Sequence, residues 1–156
     1  MSIDRVKSYL SKYGLEDKIQ EFTVSSATVE LAALALNTEP CRIAKTLSFM
    51  LDTPILIVTS GDMKIDNAKY KQLFATKAKM LAFDEAEMII GHAVGGVCPF
   101  GINDNVKVYL DESLKRYTTV YPACGSSNSA IELTPHELES ICQNFVSWID
   151  VCKSKE

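Results

Sequence analysis

No apolar stretch in the chain approaches the roughly 18 residues of a membrane span, and the longest, such as Pro54–Thr59, fall far short of it. The opening MSIDRVKSYL carries charges through an amphipathic stretch and lacks the apolar centre of a signal peptide, so a cytoplasmic protein that engages no membrane is expected. CxxC is absent, and the only two histidines, His92 and His136, do not fall at zinc-finger spacing. The five cysteines (Cys41, Cys98, Cys124, Cys142 and Cys152) are odd in number and widely spaced, which argues against a secreted disulfide framework and for reduced thiols. Neither a metal nor a cofactor is expected. Neither sign of charge dominates: 16 basic against 20 acidic residues leave a net charge of -4, which speaks against a broad DNA-binding surface. Repeats and low-complexity segments are also missing.

What remains is an ordinary globular composition, 47% hydrophobic and 23% charged, and 156 residues suit one domain spanning 1–156. Ile3, Val6, Leu10 and Tyr13 recur at helical steps, with Ser2 available as a cap and Gly14 as a stop. Val29, Ala32, Ala33 and Leu36 form a second stripe closed by Asn37, and a further helix is expected from about Asp66 to Phe74. Asp84-Glu85-Ala86-Glu87 is a weak helix start. Thr134-Pro135-His136-Glu137 is a strong one, with a Thr cap, Pro in the first turn and Glu three residues on. Between the helices, Lys45–Leu51, Pro54–Thr59, Val106–Leu110, Thr118–Tyr121 and Ala130–Leu133 read as strands, with a hairpin turn at Asp52-Thr53. The unbroken run Ile55–Val58 suggests a strand covered on both faces. Helices and strands mix without strict alternation, so the residues predict a single α/β or α+β domain with a mixed sheet.

Three places carry chemistry. Lys45 shares strand parity with Ile43, Leu47, Phe49 and Leu51, so it points toward the interior or a pocket opening from it. Burying an unpaired ammonium costs several kcal/mol, so such a lysine has either a partner or a task; the other reading is a frayed strand start whose stem snorkels to water. The run Gly91–Gly101 holds four glycines and Pro99, a loop whose backbone can approach a ligand and whose N–H groups can hold an oxyanion. It lacks both the Walker and the GxGxxG spacing, and a plain turn is the alternative. Tyr121–Ser129, with Cys124 and Gly125, closes one wall of a pocket or simply joins two strands. Cys98 and Cys124 read as structural thiols more readily than as nucleophiles, since no histidine is reliably placed beside them. His92 reads as a hydrogen-bonded loop histidine or a base, and His136 as solvated.

The order of a small-residue helix, Ile43-Ala44-Lys45-Thr46-Leu47-Ser48-Phe49, the Gly-His-Ala-Val-Gly-Gly-Val-Cys-Pro-Phe-Gly run, Gly125 and Ile131–Leu138 resembles the YbaK family. These are stand-alone relatives of the editing domain inserted in bacterial prolyl-tRNA synthetases. The resemblance runs from about Phe22 to Leu138 and implies a curled, partly barrel-like mixed sheet surrounded by helices. It also implies trans-editing: hydrolysis of the ester joining a small wrong amino acid, such as Ala or Cys, to the 3′ end of a tRNA, commonly tRNA-Pro. Binding alone cannot exclude small misfits, because one methylene is worth only about 1–3 kcal/mol.

By that resemblance Lys45 is the functional lysine that holds the acyl-adenosine end. Gly95, Gly96, Val97, Cys98 and Pro99 form the loop whose main chain positions the ester for water attack, with Gly125 beside it. The partners implied are aminoacyl-tRNA and prolyl-tRNA synthetase. Ala130 stands where the cysteine-editing members carry an aspartate. That substitution gives weight to an alternative, a non-catalytic module binding a tRNA end or a nucleotide in the same pocket. Hydrolysis by a cysteine is a third reading. Lys64, Lys69, Lys71, Lys77 and Lys79, offset only by Asp66, give a local +4 that either contacts phosphates or is a solvated face.

Overall fold

The computed structural model describes residues 2–155. Helix α1 (Ser2–Ser11) buries Val6 and Leu10 completely. Ser2 is itself helical and its hydroxyl donates to the Gly91 carbonyl at 3.3 Å, so it ties the helix to a loop instead of capping it. Strand β1 (Gln20–Glu21) precedes α2 (Val29–Leu36), where the Thr28 hydroxyl accepts the Leu31 N–H and left-handed Asn37 (φ 55°) ends the helix. Strands β2 (Ile43–Met50) and β3 (Pro54–Ser60) form the expected hairpin, and β4 (Met63–Ile65) follows. Helix α3 (Asn67–Phe74) starts at Asp66, whose carboxylate accepts the N–H groups of Ala68 and Lys69. Next come α4 (Ala86–Ile90), β5 (Lys107–Asp111), β6 (Tyr121–Pro122) and β7 (Ser129–Ala130). Helix α5 (Pro135–Ile141) opens with the complete Thr134–Glu137 capping box that its sequence spells out. Strands β8 (Phe145–Ile149) and β9 (Cys152–Ser154) finish the chain and were not anticipated.

The main sheet is mixed and curls as a half-barrel, in the order β6-β2-β3-β5-β8. Only the β2–β3 pair is antiparallel; the other three pairings are parallel. Small two-stranded pairs, β1–β7 and β4–β9, close its flanks. Every residue of β3 is buried, because each face of the sheet has its own core. The even-numbered face (Ala44, Leu56, Val58, Val108, Leu110) packs on α1, α5 and the glycine-rich loop through Val6, Leu138 and Phe100. The odd-numbered face (Phe49, Ile55, Ile57) packs on α3 and the chain end through Tyr70, Val151 and Cys152. Each large aliphatic or aromatic side chain so buried contributes about 1.5–3 kcal/mol.

One row on the odd face breaks the apolar pattern. The registers Lys45↔Thr59 and, one step beyond Val58↔Leu110, Thr59 beside Asp111 align three polar side chains across β2, β3 and β5. Asp111 is buried but satisfied, accepting the N–H of Val151 at 3.1 Å and of Ser113 at 3.0 Å. Lys45 sits at the open end of that row.

Candidate active site

Strand β2 is covered unevenly along its outer edge. Strand β6 pairs with it only at Ile43 and Ala44, and the segment before α4 meets it again at Ser48 and Met50, through Leu81 N–H to Ser48 O and Met50 N–H to Lys79 O. Among the described residues, those between these two contacts have no neighbouring strand there. In an antiparallel pair the N–H and C=O of one residue point to the same side, so Thr46, sharing parity with Ser48 and Met50, turns its main chain outward. A cavity of about 410 Å³ opens at this gap.

Its walls come from distant parts of the chain. Lys45, Thr46 and Ser48 line the strand side, and Gly95 and Val97 line the loop side. Ala27, Ala32, Ala123 and Ala130 give much of the wall small side chains, and Met80, Phe83 and Val94 line it as exposed apolar residues. The Thr46 hydroxyl is buried and has no hydrogen-bond partner among the described residues. A cavity of this shape offers a substrate a cation, an unspent hydroxyl, main-chain polar groups and an apolar mouth.

Lys45 is half-buried, and its ammonium donates to the Met63 carbonyl on β4. Desolvation pushes its pKa down from 10.5 to about 8, helped by the nearby Lys155 ammonium and opposed by Cys152 and Asp62. The parity argument therefore places the stem correctly, and the frayed-start reading fails: the amine has found a neutral acceptor inside the fold.

The glycine loop is held by its own contacts. Gly95 has φ +98°, and a Cβ there would lie 3.3 Å from the Ala27 Cβ, so glycine lets the loop close over the start of α2. Gly96 packs main chain against main chain with the third loop: Gly125 N–H donates to Gly96 O at 3.0 Å, and a Cβ on Gly96 would meet the Gly125 carbonyl carbon at 2.6 Å. The structure thus brings Lys45, Gly95 and Val97 to one cavity. Gly96, Cys98, Pro99 and Gly125 do not line it; they lie buried behind, joining the two loops. Pro99 O accepts the Gln143 N–H at 2.9 Å, which ties the loop to the end of α5.

Cys98 is fully buried, with its Sγ directed at the Phe100 carbonyl and 3.6 Å from His92 Nε2. Burial pushes its thiol up to about 12, and that of Cys124 well above the ordinary range. Neither forms a nucleophile. His92 is also fully buried: Nε2 donates to the Phe100 carbonyl at 2.7 Å, and burial lowers its pKa, so it braces the loop in its neutral form. Among the described residues, no group of three His, Cys, Asp or Glu side chains is placed to hold a metal ion, and no helix is long and apolar enough to cross a membrane. The lysine cluster is dispersed over β4, α3 and the segment beyond, and Lys69 is taken by Asp150 at 3.0 Å.

Tyr121, Ala123 and Ser129 line the cavity, so the Tyr121–Ser129 segment closes one wall of it, the first of its two readings from the sequence; Thr46 and the Met80–Phe83 rim were missed. Thr46 adjoins Lys45 and could have been found by asking where the strand's edge is paired. The rim has no periodic signal.

Comparison with known proteins points to one family. A family model described as an aminoacyl-tRNA editing domain matches residues 23–141. The uncharacterized protein YwhH of Bacillus subtilis is 52% identical over 158 residues, covering 100% of both chains. EbsC of Enterococcus faecalis, whose name describes a Cys-tRNA(Pro)/Cys-tRNA(Cys) deacylase, is 28% identical over 117 residues, 73% of this chain and 71% of its own. A crystal structure described as a trans-editing enzyme for prolyl tRNA synthetase superposes with a TM-score of 0.84 at 29% identity, covering 98% of each chain.

Proposed function

The chain belongs to the aminoacyl-tRNA editing domain family, and from that membership we propose that it is a trans-editing deacylase: it hydrolyses the ester of a tRNA-Pro mischarged with a small amino acid such as alanine or cysteine. The observation that carries this reading is the cavity lined jointly by Lys45, Gly95 and Val97. In this reading the Lys45 ammonium leaves the Met63 carbonyl and grips the acyl-adenosine end through charge-assisted hydrogen bonds. The loop main chain holds the ester carbonyl and steadies its developing oxyanion while water attacks. Water adds to the carbonyl carbon, the ester C–O bond breaks, the amino acid leaves as its carboxylate, and the ribose hydroxyl is restored. The alanine-lined chamber sets the size limit, with Ala130 leaving room that a longer side chain would take. The 3′ end of the tRNA enters over Met80 and Phe83, beside Lys77 and Lys79, and prolyl-tRNA synthetase is the partner whose errors are removed.

A second reading, a module that binds a charged tRNA end without turning it over, is favoured by one observation: Lys45 is already engaged by Met63. The two separate in one assay. Deacylation of Ala-tRNA(Pro) and Cys-tRNA(Pro) is measured against the uncatalysed rate, with Lys45→Ala alongside. The enzyme reading expects release that Lys45→Ala reduces by at least two orders of magnitude. Binding of the charged tRNA with no release from either protein would establish the module instead.

A further inference from the structure

Lys45 has an unusual set of neighbours for a half-buried cation. Strand β9 pairs with β4 in the register Met63↔Ser154, and the Lys155 N–H donates to the Asp62 carbonyl at 3.1 Å. These bonds lay the end of the chain beside the very carbonyl that receives the Lys45 ammonium. The groups facing Lys45 are Lys155 and Cys152 from this end, Asp62 from the β3–β4 turn, and Thr59 with Asp111 along the polar row. None supplies an available negative charge. The Asp62 carboxylate is clasped by Arg116 at 2.7 and 3.2 Å. Asp111 is committed to Val151 and Ser113 N–H groups, and burial keeps the Cys152 thiol protonated, with its pKa pushed up to about 12. Among the described residues Lys45 forms no ion pair.

We propose that Lys155 is a positioning residue of the site: its charge, carried by the terminal β4–β9 pair to the far side of β2, keeps the Lys45 ammonium weakly held on a neutral carbonyl and so ready to turn to an ester in the cavity. This rests on the deacylase reading for its purpose but not for its test. The region matched by the family model ends at residue 141, before β8 and β9, so the device lies outside the matched span. A second cation is what the site needs if Lys45 is not to be trapped, because an acid in its place would hold the amine by an ion pair and compete with substrate.

The experiment is amine labelling of the full chain with acetic anhydride across pH 6–10, read at each lysine by peptide mass spectrometry, for the wild type, Lys155→Gln and Lys155→Arg. Residue 155 is exposed, so neither substitution disturbs packing. Lys45 labelling is expected to rise with a midpoint near 8 in the wild type and in Lys155→Arg. In Lys155→Gln the midpoint climbs by about half a unit to one unit, which lowers Lys45 labelling at pH 7 roughly three- to tenfold. Exposed Lys107 serves as the internal standard. In deacylation the alkaline limb of kcat/KM moves upward by the same amount, and kcat/KM in Lys155→Arg stays at the wild-type value. An unchanged Lys45 midpoint in Lys155→Gln overturns the proposal, whatever happens to turnover. A wild type that labels as expected yet never deacylates counts against the proposed function alone.

Discussion

Replacing Gly96 by alanine tests whether the two loops behind the cavity touch as closely as described. Its added Cβ would lie 2.6 Å from Gly125 C and Ser126 N and 2.9 Å from Gly125 O, all main-chain atoms that cannot rotate away. Restoring ordinary contact, roughly 3.4 Å, requires the loops to part by about 0.8 Å. The Gly125 N–H to Gly96 O bond, now 3.0 Å, then lengthens beyond useful range. Losing that bond costs about 0.5–1.5 kcal/mol, and overpacking adds about 1–3 kcal/mol. A total of about 2–4 kcal/mol lowers Tm by roughly 5–15 °C for a chain of this size. Gly14→Ala is the control: it sits at φ +68° with nothing within 4 Å, so it incurs backbone strain alone, about 1 kcal/mol. Both variants restrict the denatured chain equally, and that term cancels in the comparison. Thermal unfolding followed by circular dichroism reads the difference. Deacylation should fall about a hundredfold in Gly96→Ala, because a misplacement near 1 Å at a positioned ester costs that much, and stay unchanged in Gly14→Ala. A Tm loss in Gly96→Ala no larger than in Gly14→Ala would refute the loop contact.

Two further outcomes follow from buried groups. Of the five free cysteines only Cys41 is not buried, so a chromogenic disulfide reagent should find one fast thiol in the native protein and five after denaturation; a second fast thiol contradicts the burial of Cys98 and Cys124. His92 is held neutral, below its ordinary 6.5, chiefly by desolvation. As pH falls below about 6.5 the unfolded chain takes up the proton first, so His92 lowers stability by up to about 1.4 kcal/mol per pH unit until the folded form titrates. His92→Gln keeps a donor for the Phe100 carbonyl but cannot titrate, so urea denaturation at pH 5–7 should show a shallower acid loss in the variant. Parallel curves would contradict the assignment.

The sequence was most legible where a few neighbouring residues suffice to decide a conformation. Thr134 and Glu137 satisfy each other's backbone within one turn, Asn37 ends α2 by its own φ, and Ile55–Val58 needs only to be apolar on both sides. Strands β1, β4, β8 and β9 were invisible because their identity depends on partners far away: Gln20 pairs with Ala130, and Met63 with Ser154. Phe145–Ile149 is apolar enough to be a strand, yet its place beside β5 at the sheet edge comes from topology alone. The same division holds for the site. Lys45 betrayed itself by parity, Gly95 by local composition and Tyr121 by its place at the start of a small polar loop, whereas Thr46 and Phe83 reach the cavity only through the gap left in strand pairing. Cys98 and Pro99 belong to the same motif as Gly95 by sequence but lie buried behind the cavity, where Gly125 of the other loop packs against Gly96.

That support explains why the thiols and the histidine are buried. A site that relies on water as its nucleophile needs no reactive side chain, only polar groups held still around an ester. A loop with glycines at 95 and 96 is loose in isolation, and each glycine raises the entropy to be overcome. Here the closure comes from His92 bonding to Phe100 O within the loop, Pro99 O receiving Gln143, and Gly96 abutting Gly125. Lys45 is the opposite case, a cation that is half desolvated, lacks an acid partner among the described residues and sits on one neutral carbonyl. Rigidity on the loop side and readiness on the lysine side are complementary demands. In the proposed deacylase the first would fix where the ester carbonyl oxygen lies, and the second would leave the charge that draws the substrate in unspent until it arrives.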